Sequence, residues 1–393
     1  MVTELRKKYN SEFTESAYEA FNNDLNSILR YPCDFRVCET PLFLSETLTR
    51  ELVTACNDII SQLRTPEFEI YSRNAIPEGL AVPNQDSHPK FLQIDFAITK
   101  DSQGNFIPKL IELQGFPSLY AFQYYLPLVI RRHFNIPDEL TPYFSGFDDD
   151  AYISHLKHII VGDADPENVI LLEIEPDKQK TRIDFAATEE LTGISTVCIT
   201  KVKKQGRKLF YEKNGREIPV ERIYNRVIYD ELKRKGPDYG FRFVDEMDVT
   251  WVGHPNWFFK ISKNTLPFLK SKYVPASSFL SEMQSYPDDL SQYILKPLYS
   301  FAGLGVEMNF DKARLDSITD RSNYILQEKI EYAPLIDTPD GFSRVEIRMM
   351  YLWDNEPLLV NNLVRTSKGA MMGVDFNKNK TWVGSSCAFH PVV

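Results

Sequence analysis

Two carboxylates, Asp95 and Glu112, stand in the stretch FLQIDFAITKDSQGNFIPKLIELQG, flanked by the amides Gln93 and Gln114. Residues 91–99 and 106–114 are apolar, strand-like runs joined by Lys-Asp-Ser-Gln-Gly-Asn, a polar connection with one glycine that reads as a hairpin. Side chains alternate across a strand, so Gln93 and Asp95 share one face and Leu92, Ile94 and Phe96 the other. Glu112 and Gln114 share a face on the partner strand. With the turn centred between Gln103 and Gly104, Asp95 opposes Glu112, their Cβ atoms about 5 Å apart. Like charges so placed repel unless a cation lies between them. Hard carboxylate oxygens suit Mg²⁺, which also binds phosphates. The alternative is an exposed polar face with the register shifted by one.

Cationic residues gather near the other end of the chain. Residues 293–310 read as strand, glycine loop, strand, with Lys296 ahead of Ser300, Gly303 and Gly305. A strand, not a helix, is expected after the loop, and no Gly-Lys-Ser/Thr occurs, which disfavours a phosphate site at a helix N-terminus. A glycine hairpin can still fold over phosphates with its backbone N–H groups, and Lys296 supplies a point charge. The bland alternative is a surface hairpin with a solvated lysine. Further on, Glu346 and Arg348 lie two apart on one strand face. A turn around Asn355 sets Arg348 opposite Asn362, and parity then puts Arg365 on the other face unless a bulge intervenes. Lys296, Arg348, Arg365 and Lys368 together would form a local positive patch, against the alternative of separate surface ion pairs of little energetic weight.

These residues need a scaffold, and the composition supplies one. The 393 residues are 43% apolar, 13% aromatic and 25% charged, which suits two or three globular units and excludes disorder. Net charge is −10, so a general nucleic-acid binder or anionic-membrane protein is not expected. Five scattered cysteines without C-x-x-C read as free thiols in a reducing compartment. The first residues lack a hydrophobic leader core, and the apolar stretch 120–130 is too short to span a bilayer. A soluble, cytoplasmic protein is the expectation. No H-E-x-x-H or G-x-S-x-G occurs, and the pairs His155/His158 and Cys387/His390 are weak metal candidates.

Helical periodicity covers residues 11–29 and 45–63, the second opened by Ser45. A seam lies near Asp148-Asp149-Asp150 and residues 162–166. Beyond it, strand 168–174, helix 181–191, strand 195–199 and strand 223–226 predict an open, Rossmann-like α/β sheet without a glycine fingerprint. From residue 251 the expectation is α+β: a helix over 263–272 and strands at 293–297, 306–310, 324–330, 345–353 and 357–366.

The segment IDFAITKDSQGNFIPKLIELQGFPS resembles the metal-binding segment of ATP-grasp ligases, in which an Asp precedes a Glu-x-Asn on the next strand. Its position ahead of the cationic segments resembles the circularly permuted branch, which includes eukaryotic-type glutathione synthetase and the glutathionylspermidine synthases. The resemblance extends Mg²⁺ ligation to Gln114, in the Asn position, beside Asp95 and Glu112. It makes Lys263, with Lys260 as competitor, and Lys296 with its loop the nucleotide contacts. YILQEKIEY resembles the adenine hinge, placing Gln327, Glu328, Lys329 and Ile330 near adenine and ribose. The run Arg365-Thr366-Ser367-Lys368 resembles the stretch that reaches substrate carboxylate and phosphate, and Glu346 joins the nucleotide set. Arg73, Asn74 and Arg226 are candidate substrate contacts.

The resemblance implies a permuted ATP-grasp fold with residues 1–150 carrying the metal hairpin, 151–250 a central α/β substrate domain and 251–393 the nucleotide lobe. It implies an ATP- and Mg²⁺-dependent carboxylate–amine ligase acting on small molecules through an acyl phosphate, and a homodimer is the candidate assembly. Gln93 stands where glutathione synthetase carries arginine, and the loop has fewer glycines. Two alternatives stand beside the ligase: an ATP-binding protein of this fold that has lost ligase chemistry, and a metal-dependent small-molecule kinase.

Overall fold

The computed structural model describes residues 1–299, 305–369, 372 and 374–393. Ser300 and Gly303 lie outside the described residues.

The sheet that carries the acidic hairpin also carries the cationic one. Strand Phe91–Lys100 pairs antiparallel with Phe106–Gln114 on one side and Gly341–Trp353 on the other. Pro357–Ser367 and Gly384–Ser386 extend the sheet, and Ile336–Thr338 pairs with the start of Gly341–Trp353. The first turn is built as its residues dictate. Asp101 accepts hydrogen bonds from the Gln103 and Asn105 amides at 2.9 and 2.8 Å, and Gly104 takes the left-handed conformation at φ +85°.

One face of this sheet is apolar. Leu92, Ile94, Phe96, Ile347, Met349 and Val364 pack there against helix Glu46–Leu63. That helix starts where its sequence predicts: the Ser45 hydroxyl accepts from the Leu48 amide, and Leu48, Leu52, Ala55, Ile59 and Leu63 form its buried stripe. With that side filled, the polar side chains are left to the opposite face.

A second sheet is fully parallel, in the order Thr250–Val252, Arg222–Asn225, Val169–Glu173, Ser195–Cys198. Helices Asp149–Val161 and Arg182–Thr192 cover one face through Tyr152, Leu156, Ile159 and Phe185. The other face is covered by an antiparallel meander, Lys203–Gln205, Lys208–Lys213 and Arg216–Val220, through Leu209, Tyr211, Ile218 and Val220. A third sheet, Ser277–Phe279, Tyr324–Glu328 and Tyr293–Pro297, is antiparallel. Among the described residues no helix is long and apolar enough to cross a membrane.

Three expected elements differ. The helix over 263–272 is only one 3-10 turn, Lys263–Thr265, because the prolyl ring at Pro267 removes a donor within the next turn. The helix over 11–29 is two helices, Thr3–Glu12 and Glu15–Ser27, since Thr14 caps the second by accepting from the Ala17 amide. The strand over 306–310 is reduced to an isolated bridge between Glu307 and Leu295, as the chain turns off to Asp311, which caps helix Lys312–Asp316.

Ile59 is wholly buried between helix and sheet. Ile59→Ala is expected to cost about 2–5 kcal/mol, read as a lower urea midpoint at unchanged slope.

Candidate active site

Two one-residue bulges decide which side chains meet. Near its turn the acidic hairpin pairs Lys100 with Phe106, so the turn is centred on Gln103 and not between Gln103 and Gly104. Ile111 is then an extra residue in the second strand, and beyond it Asp95 faces Glu112 and Gln93 faces Gln114. In the cationic hairpin Trp353 pairs with Pro357 around Asn355, and Val360 is the extra residue. Arg348 therefore faces Leu363, not Asn362 as uninterrupted pairing predicts, and Glu346 faces Arg365. The bulge also carries Arg365 onto the same face as Arg348, which strict alternation forbids. Asn362 instead bonds the Pro142 and Ala388 carbonyls from its amide nitrogen at 2.9 and 3.0 Å.

Asp95 is the centre of the cluster and 1% exposed. Its Oδ1 accepts from Arg348 Nε and its Oδ2 from Arg348 Nη2, both at 2.7 Å. Arg365 Nη2 reaches the same Oδ2 at 3.1 Å and Glu346 Oε2 at 2.8 Å. Glu346 also accepts the Tyr332 hydroxyl at 2.6 Å. Burial raises the Glu346 carboxyl, with Arg365 opposing, whereas burial at Arg365 is outweighed by Glu346 and Asp95, so the guanidinium holds its proton more firmly. Arg348 is nearly buried, but the Arg365 side chain keeps 36% of its surface. Of the two, Arg365 is the one a solute can reach.

Glu112 is the second focus. Its Oε1 accepts from Gln114 Nε2 at 2.8 Å. Burial alone would raise this carboxyl; the charges of Lys263, Arg365, Arg348 and Lys296 outweigh it and the pKa falls below the usual value. Lys296 lies on strand Tyr293–Pro297 and donates to the Ile111 carbonyl, the bulge residue, at 3.3 Å. Desolvation lowers Lys296 to about 8 against the pull of Glu112. Lys263, buried in its 3-10 turn, is also lowered by burial, with Glu112 opposing. Glu112, Gln114, Phe116, Lys263 and Tyr299 line a cavity of about 20 Å³, room for one water. A wider hollow of about 470 Å³ lies on helix Glu15–Ser27, where Arg36 and Glu39 pair with each other; it lacks convergent cations and is not the site.

Gln327 faces the same side of its sheet as Lys296, is 1% exposed and has no partner at Nε2. Glu328 points to the other side, where its carboxylate accepts from the Ala276 amide at 3.3 Å. Lys329 donates to the Ser291 carbonyl at 2.5 Å and Ile330 is half-buried beyond the strand end. Gly305 holds the left-handed conformation at φ +73°, and a Cβ there would come within 3.1 Å of Pro297. Lys368, Lys260, Arg73 and Arg226, like Glu328 and Lys329, do not join the cluster. Lys368 pairs with Asp340 and donates to Thr338 Oγ1 at 3.0 Å. Lys260 is paired with Glu69 at 3.0 Å over the Trp257 ring. Arg73 pairs with Glu69 at 3.3 Å. Arg226, buried between the Phe116 and Phe185 rings, leaves Nε and Nη1 without partners.

Tyr332 and Glu173 were not legible as site residues. Tyr332 announces itself only through its bond to Glu346. Glu173 ends a parallel strand beside Arg226, and burial raises its carboxyl to about 8 while Arg226 opposes.

The donor set does not fit a divalent cation held by Asp95, Glu112 and Gln114. Both Asp95 oxygens are occupied by guanidinium groups, and Gln114 turns its amide nitrogen, not its oxygen, toward Glu112. Among the described residues no three His, Cys, Asp or Glu side chains are grouped to hold a metal, which also leaves His155/His158 and Cys387/His390 as isolated pairs.

No family model matches the sequence, and no curated protein matches it. Among solved structures the chain is similar to a glutathione synthetase-like effector from Globodera pallida in its apo form. The two share 10% identity over 96% of each chain with a TM-score of 0.57. The chain thus has a glutathione synthetase-like fold.

Removing one partner of a buried ion pair strands the others in low dielectric. Asp95→Ala is expected to destabilise the fold by about 3–5 kcal/mol in chemical denaturation, while Glu112→Gln, at the cavity edge, costs far less.

Proposed function

We propose that the chain is an ATP-dependent carboxylate–amine ligase of the circularly permuted ATP-grasp type, acting on small molecules. The observation that carries this reading is the convergence of Lys263, Lys296, Arg348 and Arg365 on Glu112 from separate stretches of chain. The fold likeness supports it. On this reading residues 1–150 and 251–393 supply the two walls of the nucleotide crevice, and the Rossmann-like domain 151–250 receives a substrate beside Arg226.

The chemistry assigned to each group follows from its exposure and bonding. Lys263 and Lys296 bind phosphate oxygens as compact charges. Gln327, with a buried and unpartnered amide nitrogen, donates to the adenine edge. A substrate carboxylate attacks the terminal phosphorus, the bond to the bridging oxygen breaks, and ADP leaves. Arg365, the reachable guanidinium, binds the charge that develops on the transferred group, while Arg348 fixes Asp95 and so positions Arg365. The amine then attacks the acyl carbon and phosphate departs, giving an amide. Exclusion of water keeps the acyl phosphate for the amine.

A second reading, an ATP-binding protein that has lost ligase chemistry, is favoured by one observation: Asp95 has its oxygens fully engaged by Arg348 and Arg365. ADP release screened over paired carboxylates and amines separates the two. Release that requires both an acid and an amine supports the ligase, with Arg365→Met lowering turnover about 10²–10³-fold. Nucleotide binding without release under any pairing supports the second reading, and release with a hydroxyl compound alone identifies a kinase.

Lys296 also sets a pH dependence. Its pKa of about 8 in the folded chain lies below the ordinary 10.5, so the free site loses this charge as pH rises through 8. An anion binds the protonated form, so triphosphate affinity is expected to fall above pH 8 by up to about tenfold per unit. Isothermal titration at pH 7 and pH 9 measures this, and Lys296→Met is expected to flatten the profile.

A further inference from the structure

The crevice carries its own charge compensation. Arg348, Arg365, Lys263 and Lys296 face Asp95, Glu112 and Glu346, so four cations against three carboxylates leave one net positive charge before any ligand arrives. The carboxylates are also spoken for. Asp95 accepts three N–H bonds from two guanidinium groups, and Glu346 accepts one from Arg365 and one from the Tyr332 hydroxyl. Glu112 accepts from Gln114.

Mg²⁺ wants six oxygens near 2.0–2.1 Å and gives up water reluctantly. To bind between Asp95 and Glu112 it would have to displace a bidentate guanidinium from a nearly solvent-free carboxylate and reverse the Gln114 amide. Each exchange trades an existing charge-assisted bond for a metal contact, in a pocket whose own cations repel the incoming ion. A polyphosphate meets the opposite field.

We infer that this crevice takes its polyphosphate ligand as the free anion, with Arg365, Lys263 and Lys296 in the role of the divalent cation. The inference rests on the nucleotide-binding reading above and specifies the charge state of the ligand that site accepts. Burial lowers Lys296 and Lys263 in the empty crevice, so both gain when a phosphate replaces lost hydration. Arg365, with a third of its side chain exposed, can turn an N–H toward the ligand and keep a bond to Glu346 or Asp95.

The test is isothermal titration of the full chain with ATP, once in EDTA and once in excess Mg²⁺, together with a titration of Mn²⁺ alone. The expected result is an affinity in EDTA equal to or tighter than that in Mg²⁺, and no heat from Mn²⁺ alone. A loss of more than about tenfold in EDTA, or saturable Mn²⁺ binding by the free protein, overturns the inference and leaves the nucleotide site standing. Absence of ATP binding in both buffers overturns the nucleotide reading as well. Lys296→Met, which removes a charge without touching the Asp95 pair, is expected to weaken binding in EDTA by about tenfold or more and in Mg²⁺ by less. Equal weakening in both buffers overturns the compensating role.

Discussion

The buried contact between Asp95 and the guanidinium groups of Arg348 and Arg365 ties the two ends of the chain into one sheet face. Residues more than two hundred and fifty positions apart meet there, |i−j| being 253 and 270 for the two arginines. A carboxylate with 1% exposure is tolerated only when its oxygens are filled, and Arg348 fills them in the fork geometry that guanidinium allows. Because the pair is short and nearly dry, it also fixes where everything attached to it stands. Arg365, Glu346 and Tyr332 form a chain of bonds leading away from Asp95, with the half-exposed Arg365 held between two buried carboxylates.

Backbone irregularity is what makes that contact available. Without Val360 as an extra residue, Arg365 would lie among the apolar side chains that meet helix Glu46–Leu63, and Val364 would face the crevice. Were Ile111 paired regularly instead of bulged, Leu110 and Glu112, two apart, would share one face. The same bulge leaves the Ile111 carbonyl free to accept from Lys296, so the defect in one sheet is the docking point of the other. Bulges of this kind re-aim side chains beside functional sites at the cost of a ladder bond.

Much of the scaffold was legible. The Asp101–Asn105 turn, the Ser45 cap and the alternation of Leu92, Ile94 and Phe96 each rest on local rules, and each appears where those rules put it. The opposition of Asp95 to Glu112 follows in the sequence from a turn centre one half-step off, and it appears in the structure because Ile111 makes up the difference. Bulges leave no reliable mark on an apolar strand, so the facing of Arg365 was undecidable from parity. The meander over 203–220 carries one local signal: Asn214-Gly215, both at positive φ, turns one of its hairpins. Whether a carboxylate would meet a cation from solution or from its own chain is a tertiary fact, set by long-range pairing, and no spacing in the sequence encodes it.

The crevice gathers like charges beside Glu112. Burial lowers both Lys296 and Lys263, the charge of Lys263 adds to the effect at Lys296, and about 20 Å³ of space remains beside Glu112. Lys296 reaches from the small sheet to the acidic hairpin through its bond to the Ile111 carbonyl, which ties the two walls together beside this space. That bond, at 3.3 Å to a neutral carbonyl, is a weak partner for a charged group. Its carbonyl partner compensates a lysine far less well than a phosphate oxygen does. Burial therefore brings Lys296 down to about 8, and on the proposed reading a phosphate oxygen supplies the counter-charge that its buried position lacks.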